Sequence, residues 1–573
     1  MTDADRALTR HFVRHFLDVG FMTSEGSDGV RRALLGVMSA VITIGLFLPR
    51  VMLGKYAGIR GVPDLYHAMV IGDTLMTFAF AMLLAAFAAA FAGDSMFPDE
   101  TDFRVLTPLP VTRAFVFSAK LRALAFYLGL AIVVTALALQ LPLTAITGGP
   151  HAEQTWLARA AMYSVASMAG SLFAAAAVMA IQGLIVLVAP GQHLRAIAVG
   201  ARTAMLSGVV LLLPLAGRLP RAAAGFSTET PLLFLAPPAW FVGLQRVALG
   251  AGSAFDAQLA GIGVGALVLS AAVVTGCYVV LYRRFDVLML RQNLSSGAGR
   301  NRGKDGSAYE AARVAPDAAN DAADQTRVVA RFAARTLWRS PLQQVVFLGV
   351  TACGVGWSLN GLLSGGLLTW LREGGVPSPR LIGSVTSMPF VLLLLGATGL
   401  RAALMLPQDP RANWLFRMRE DDERRPAQLD AVERLFMRLV VWPVLVCMLP
   451  LQWTILGMDA LAAMPVTYLA GVVLVELLIR TWRRIPFTCG YIPGKRNIAL
   501  TFLIALTVYI FYTNIGAGLA YAGRFHPSRL MIVVGILMTA AALLRRHRLR
   551  SWGQSPLMFD DDPAEFVQPL QLL

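Results

Sequence analysis

The chain has 573 residues, of which 56% are apolar and only 15% charged, and its mean hydropathy is +0.62. Soluble domains are about a quarter charged, so this balance excludes a largely soluble enzyme and predicts an integral membrane protein. The formal net charge of +16 would suggest nucleic-acid binding in a soluble chain. Here, however, only four of the 50 basic residues are lysine (Lys55, Lys120, Lys304, Lys495), and the arginines flank apolar runs, so no nucleic-acid partner is expected.

A basic amphipathic segment opens the chain. DRALTRHFVRHFLDVGF places Leu8, Phe12 and Phe16 four apart, with Arg10, Arg14 and His15 between them. That pattern suits a helix lying at the cytoplasmic membrane surface. The first long apolar run begins after Arg32, too far in and too long for a cleaved signal peptide, so it is expected to be a retained span.

A helix needs about 20 mostly apolar residues to cross a bilayer. Such runs lie near 33–53, 67–92, 123–143, 160–189, 201–217 and 257–282 in the first half. In the second half they lie near 343–364, 381–406, 437–457, 460–480, 498–521 and 529–544. The stretch 231–249 is apolar but broken by Pro231, Pro237 and Pro238, and reads as re-entrant or interfacial.

Between the halves, residues 293–326 are rich in Gly, Ser, Ala, Asp and Asn with almost no large apolar side chains, which predicts a disordered cytoplasmic linker. The expected organisation is therefore a first six-span half over 1–292, the linker, and a second six-span half over 327–573 with a C-terminal tail. The second half opens with TRVVARFAARTLWRS, which mixes Val329, Phe332 and Leu337 with Arg327, Arg331 and Arg335 and repeats the amphipathic opening of the first. With twelve spans, 39 of the 50 basic residues fall on the side of the N-terminus and 11 on the other. That bias puts both termini in the cytoplasm.

The second span of each half runs into a related loop. MFPDETDFRVLTPLPVTRAFVFSAKLRAL (96–124) has Pro98, Asp99, Asp102 and the pair Val105-Leu106. MLPQDPRANWLFRMREDDERRPAQLDAVERLF (405–436) has Pro407, Asp409, Arg411 and the pair Trp414-Leu415. Proline stops the transmembrane helix, and the charges hold the next residues at the surface. Six spans per half would give both copies the same orientation, a parallel repeat about an axis along the membrane normal. The fold expected is an all-α integral membrane protein of about twelve spans in two pseudo-repeated six-helix halves.

The first loop resembles the loop between the second and third spans of exporter permeases of the ATP-binding-cassette (ABC) type-2 group. There an acidic segment leads to Leu-x-x-Leu-Pro-[Val/Leu]-[Ser/Thr]-Arg and then to a Lys-bearing helix. Leu106, Leu109, Pro110, Val111, Thr112, Arg113 and Lys120 match that pattern, whereas the second loop lacks the Leu-Pro-Val-Thr-Arg step. The resemblance implies a permease with both halves fused, located in a bacterial cytoplasmic membrane. It also implies a separate cytoplasmic ABC ATPase as partner, in two copies. Asp99, Asp102, Pro110, Arg113, Asp409, Arg411 and Trp414 would be its contact and coupling residues.

No catalytic chemistry shows itself in the chain. GAGRNRGKDG (297–306) and GYIPGKRN (490–497) lack the Gly spacing of a phosphate loop, so ATP and Mg would sit on the partner and no cofactor on this chain. The seven histidines and four cysteines form no metal pair and no CxxC, and no nucleophile elbow occurs. Three charges fall inside spans, where they are functional candidates by default: Asp73, Arg401 and Glu476. Asp73 lies near the outer end of its span, within reach of water. Glu476 is four residues before Arg480, an i,i+4 pair, and Arg401 can snorkel to the cytoplasmic surface. RRHRLR (545–550), just inside the membrane, would favour anionic lipid. The alternatives to a permease are an ion-coupled secondary transporter and a membrane-embedded enzyme.

Overall fold

The structure is a computed structural model that describes residues 54–59, 62–92, 113–147, 154–188, 194–283, 318–406, 425–480 and 498–553, with residues 10, 43, 45, 482, 486 and 487 singly. Among them every regular element is helical. Ten of the described helices are long and apolar enough to cross a membrane. They coincide with ten of the twelve apolar runs. The 33–53 run lies outside the described residues except for positions 43 and 45, and the 498–521 run forms the helix Ile498–Phe525. The protein is membrane-embedded.

The chain divides into two compact units, Met1–Asp305 and Gly306–Leu573. Unit 1 contains α1 (Pro63–Ala92), α2 (Arg113–Ile146), α3 (Trp156–Val188), α4 (Leu194–Ala216), α5 (Pro237–Ala248) and α6 (Ala254–Arg283). In this unit α1 packs against α2, α3 and α4, and α3 packs in turn against α2, α4 and α6. The proline-broken stretch becomes a 3-10 turn, Pro231–Leu235, followed by the 12-residue α5, too short to cross. Pro237 and Pro238 open α5, where a missing N–H costs nothing. Phe241, Val242 and Gly243 of α5 are buried, and α5 lies against α3 and α6.

Unit 2 begins with α7 (Ala318–Arg339) and α8 (Pro341–Ser364), then, past the short helix Leu367–Glu373, α9 (Pro379–Met405). Next come α10 (Arg425–Phe436), a π-helical turn (Met437–Val441) and α11 (Trp442–Leu456) in one continuous run, then α12 (Asp459–Ile479), α13 (Ile498–Phe525) and α14 (Pro527–Gly553). Here α9 packs against α8, α11, α12 and α13, and α12 against α11, α13 and α14. The start of α9 is set by Ser378, whose hydroxyl accepts from the Leu381 amide at 3.1 Å and donates to the Gly365 carbonyl at 2.7 Å. Pro142, Pro214, Pro389, Pro450 and Pro465 all lie within helices, as neighbouring helices permit in membrane spans.

The 293–326 stretch is not irregular throughout. Residues 293–317 lie outside the described residues, but α7 begins at Ala318. The run AANDAADQ has no large apolar side chain, yet alanine is the strongest helix former, so the amphipathic helix extends back through it. On α7 the buried side is Ala333 and Leu337, set against α10. Phe332 and Trp338 stay exposed beside Arg331, Arg335 and Arg339, so only Leu337 of the expected apolar trio reaches the core.

A Cβ on Gly243 would lie 2.8 Å from the Asp256 carbonyl oxygen and 2.9 Å from the Leu259 Cβ, whereas one on Gly261 would meet nothing within 4 Å. Gly243→Ala should therefore cost about 1–3 kcal/mol by overpacking the α5–α6 contact. Gly261→Ala should be neutral or better. Gel-filtration survival after heating in mild detergent checks both.

Candidate functional site

The best-formed charged centre lies at the end of unit 2 where α9 stops and α10 starts. Arg548 of α14 is fully buried, at 0% exposure, and three carboxylates surround it. Its Nη2 donates to Glu433 Oε2 of α10 at 2.6 Å and to Glu476 Oε1 of α12 at 3.0 Å. Its Nε lies 2.7 Å from Glu476 Oε2, a close ion contact without hydrogen-bond alignment. Asp430 of α10, one turn before Glu433, completes the set with an oxygen 3.8 Å from Nη1. A guanidinium suits this place because its rigid fork can face two carboxylates at once.

Glu476 is 2% exposed and does not form the expected i,i+4 pair with Arg480. Arg480 instead places Nη2 3.4 Å from His547 Nε2. The sequence spacing was correct for a helix, but α14 brings a better-oriented cation from 72 residues away. Arg401 does not merely snorkel. Its Nη1 donates to the Leu478 carbonyl at 2.6 Å, closing the last turn of α12, where a cation also complements the helix dipole.

These contacts share one consequence. The segment 407–424, which carries Asp409, Arg411 and Trp414, leaves from α9 and returns through α10. α9 is tied to the last turn of α12 by Arg401, and α10 is tied to the same turn through Glu433, Arg548 and Glu476. α7 packs against α10 as well. Asp409, Arg411 and Trp414 lie outside the described residues, as do Asp99, Asp102 and Pro110. Arg113 is the first residue of α2, and its side chain is likewise outside them.

Unit 1 has a second polar centre around Asp73. Contrary to the expected contact with water, Asp73 is 2% exposed. Lys55 Nζ lies 2.7 Å from each of its oxygens, and the Tyr56 hydroxyl donates to Oδ2 at 2.6 Å. The chain before α1 folds back over this part of the span, and Tyr56 and Tyr66 meet edge-on at 5.5 Å. Burial, and then the hydrogen bond to Asp73, pushes the Tyr56 phenol above its ordinary range, so it stays a proton donor. Behind it, Tyr163 of α3 meets Thr74 of α1 and Gln245 of α5. Gln140 of α2 reaches Ser167 of α3 at 3.4 Å.

Arg548 was missed because its neighbours in RRHRLR are exposed and the stretch reads as one basic patch. The signal was present: Val533, Leu537, Leu544 and Arg548 recur at helical spacing, so Arg548 extends the core-facing side of α14. Asp256, buried and bonded to Arg246 at 3.0 Å and to the Ser253 amide at 2.8 Å, was also missed. Ser253-x-x-Asp256 before an apolar run is a capping-box pattern. Among the described residues no group of three or more His, Cys, Asp or Glu could hold a metal ion. Compared with known proteins, the chain matches no family model, no curated sequence and no solved structure.

Removing Arg548 leaves the buried Glu476 carboxylate without its cation, so Arg548→Met should destabilise the protein by about 3–5 kcal/mol. Arg545→Met, on the exposed side of the same turn, should do little. Thermal unfolding of the two variants in detergent gives the comparison.

Proposed function

We propose that this protein is the membrane permease of an ATP-driven exporter, with two transmembrane halves fused in one chain and a separate cytoplasmic ABC ATPase as its engine. The observation that carries this reading is the double tie of the 407–424 segment. Both of its flanking helices are fixed to the end of α12, so a push on the segment would move spans rather than slacken a loop. On the loop-charge reading that end faces the cytoplasm, where an ATPase could reach it.

The repeat has a second support. In unit 1 the second span packs against the third, fourth and fifth, and the fourth against the third, fifth and sixth. In unit 2 the same neighbours meet, counting α8 as the first span and α14 as the sixth. Six spans per half, with 33–53 as the first, fits that correspondence. Two such halves suit a two-fold partner. ATP binding would close the ATPase dimer, and loops 93–122 and 407–436 would pass that motion to the bundles as alternating access. Asp99, Asp102, Pro110, Arg113, Asp409, Arg411 and Trp414 are the proposed contacts.

The buried Asp73, paired with the exposed Lys55 that precedes the span, favours one rival, an ion-coupled secondary transporter, since charged groups inside spans often mark ion pathways. Affinity purification from mild detergent separates the two. The permease reading expects an ABC ATPase at two copies per chain, and charge reversal at Arg113 or Arg411 should weaken its retention about tenfold or more, the loss of one or two charge-assisted contacts. A folded chain that retains no ATPase, with transport abolished by collapsing the proton gradient and indifferent to ATP depletion, would establish the rival.

A further inference from the structure

We propose that the basic end of α14, together with Arg480 at the end of α12, is a binding site for an anionic phospholipid of the phosphatidylglycerol type. This inference is independent of the ATPase reading. Once folded, RRHRLR (545–550) is not one patch. Arg548 is turned into the bundle onto Glu433 and Glu476, and Arg545 stands on the side of Asp430 and Glu476. Arg546, His547 and Arg550 are exposed. α12 packs along α14 and brings Arg480, also exposed, to the same end, with its Nη2 3.4 Å from His547 Nε2. Basic groups from two helices therefore converge on one spot.

An apolar track leads up to that spot. Ile532, Ile536, Leu543, His547 and Arg550 follow one another at intervals of four, seven, four and three, which is one line along a helix. The three apolar members of the line are 62%, 63% and 59% exposed. Arg546 lies 19 residues after Pro527, about 29 Å of helix rise, which is the thickness of the hydrocarbon core. The line thus passes from acyl-chain depth to headgroup depth where its side chains change from aliphatic to basic.

That sequence of surfaces fits an amphiphile and not a soluble anion, which would use the basic end alone. A guanidinium offers paired N–H groups to two phosphate oxygens side by side, and long arginine stems let the heads rise to the phosphate level. Phosphatidylcholine carries the same phosphate, but its choline cancels the charge. A lipid with net negative charge keeps the attraction, of about 1 kcal/mol for each basic side chain near the surface.

The test titrates the full chain in mild detergent with phosphatidylglycerol, or with phosphatidylcholine of the same acyl chains, and counts bound lipid by native mass spectrometry. Wild type should hold phosphatidylglycerol about tenfold or more tighter than phosphatidylcholine. Arg480→Gln, Arg546→Gln and Arg550→Gln should each weaken phosphatidylglycerol binding about fivefold and leave phosphatidylcholine binding unchanged, which also guards against misfolding. Arg529→Gln, at the opposite end of α14, and Arg545→Gln, on the carboxylate side, remove the same charge and should change binding by less than about twofold. The proposal is overturned if wild type shows no preference, or if either of these two variants weakens binding as much as the other three. A preference absent from wild type but created by Asp560→Asn, Asp561→Asn and Asp562→Asn together would place the chain's own acidic residues on the patch, and overturns it too.

Discussion

A peptide group in hydrocarbon has no water to bond with, and leaving one unpaired costs several kcal/mol. The rest of this protein is built around that constraint. The apolar runs become helices because a helix satisfies its backbone within itself. Where proline removes a donor inside a span, packed neighbours must compensate. Where three prolines fall in one short stretch, as at 231–249, the chain forms a 3-10 turn and a short helix instead of crossing.

The same medium makes every charge in a span expensive unless it is paired. The two units handle this differently. Unit 2 gathers Asp430, Glu433 and Glu476 around one guanidinium supplied by the last helix. Such a buried cluster adds little net stability over well-packed apolar side chains, but it specifies geometry. It fixes α10, α12 and α14 to one another at the place where the chain re-enters the bundle after the 407–424 segment. Unit 1 instead closes Asp73 beneath Lys55 and Tyr56.

Much of this architecture was legible in the residues. Apolar runs of spanning length marked the ten crossing helices, and the prolines marked α5. The mixed segment after Arg425 marked a helix leading into an apolar one, and it continues through a π turn into α11. Local rules misled where a tertiary partner intervened. Glu476 and Arg480 have the spacing of a helical pair, yet a distant arginine outcompetes the near one because it arrives inside the bundle, away from water. Asp73 reads as exposed by its position along the span, and is covered because the preceding residues double back. Ala318 reads as linker by hydropathy and is helical by propensity.

Hydropathy and run length act locally along the chain, so the residues alone set the class of the molecule and the order of most of its apolar helices. Which charges meet was decided by tertiary structure. Arg548 is indistinguishable from Arg545, Arg546 and Arg550 as a symbol, and only the rotation of α14 against α10 and α12 turns it inward. Pairing of buried charges is a property of three-dimensional neighbours, since the electrostatic energy depends on separation through space and on exclusion of water rather than on distance along the chain.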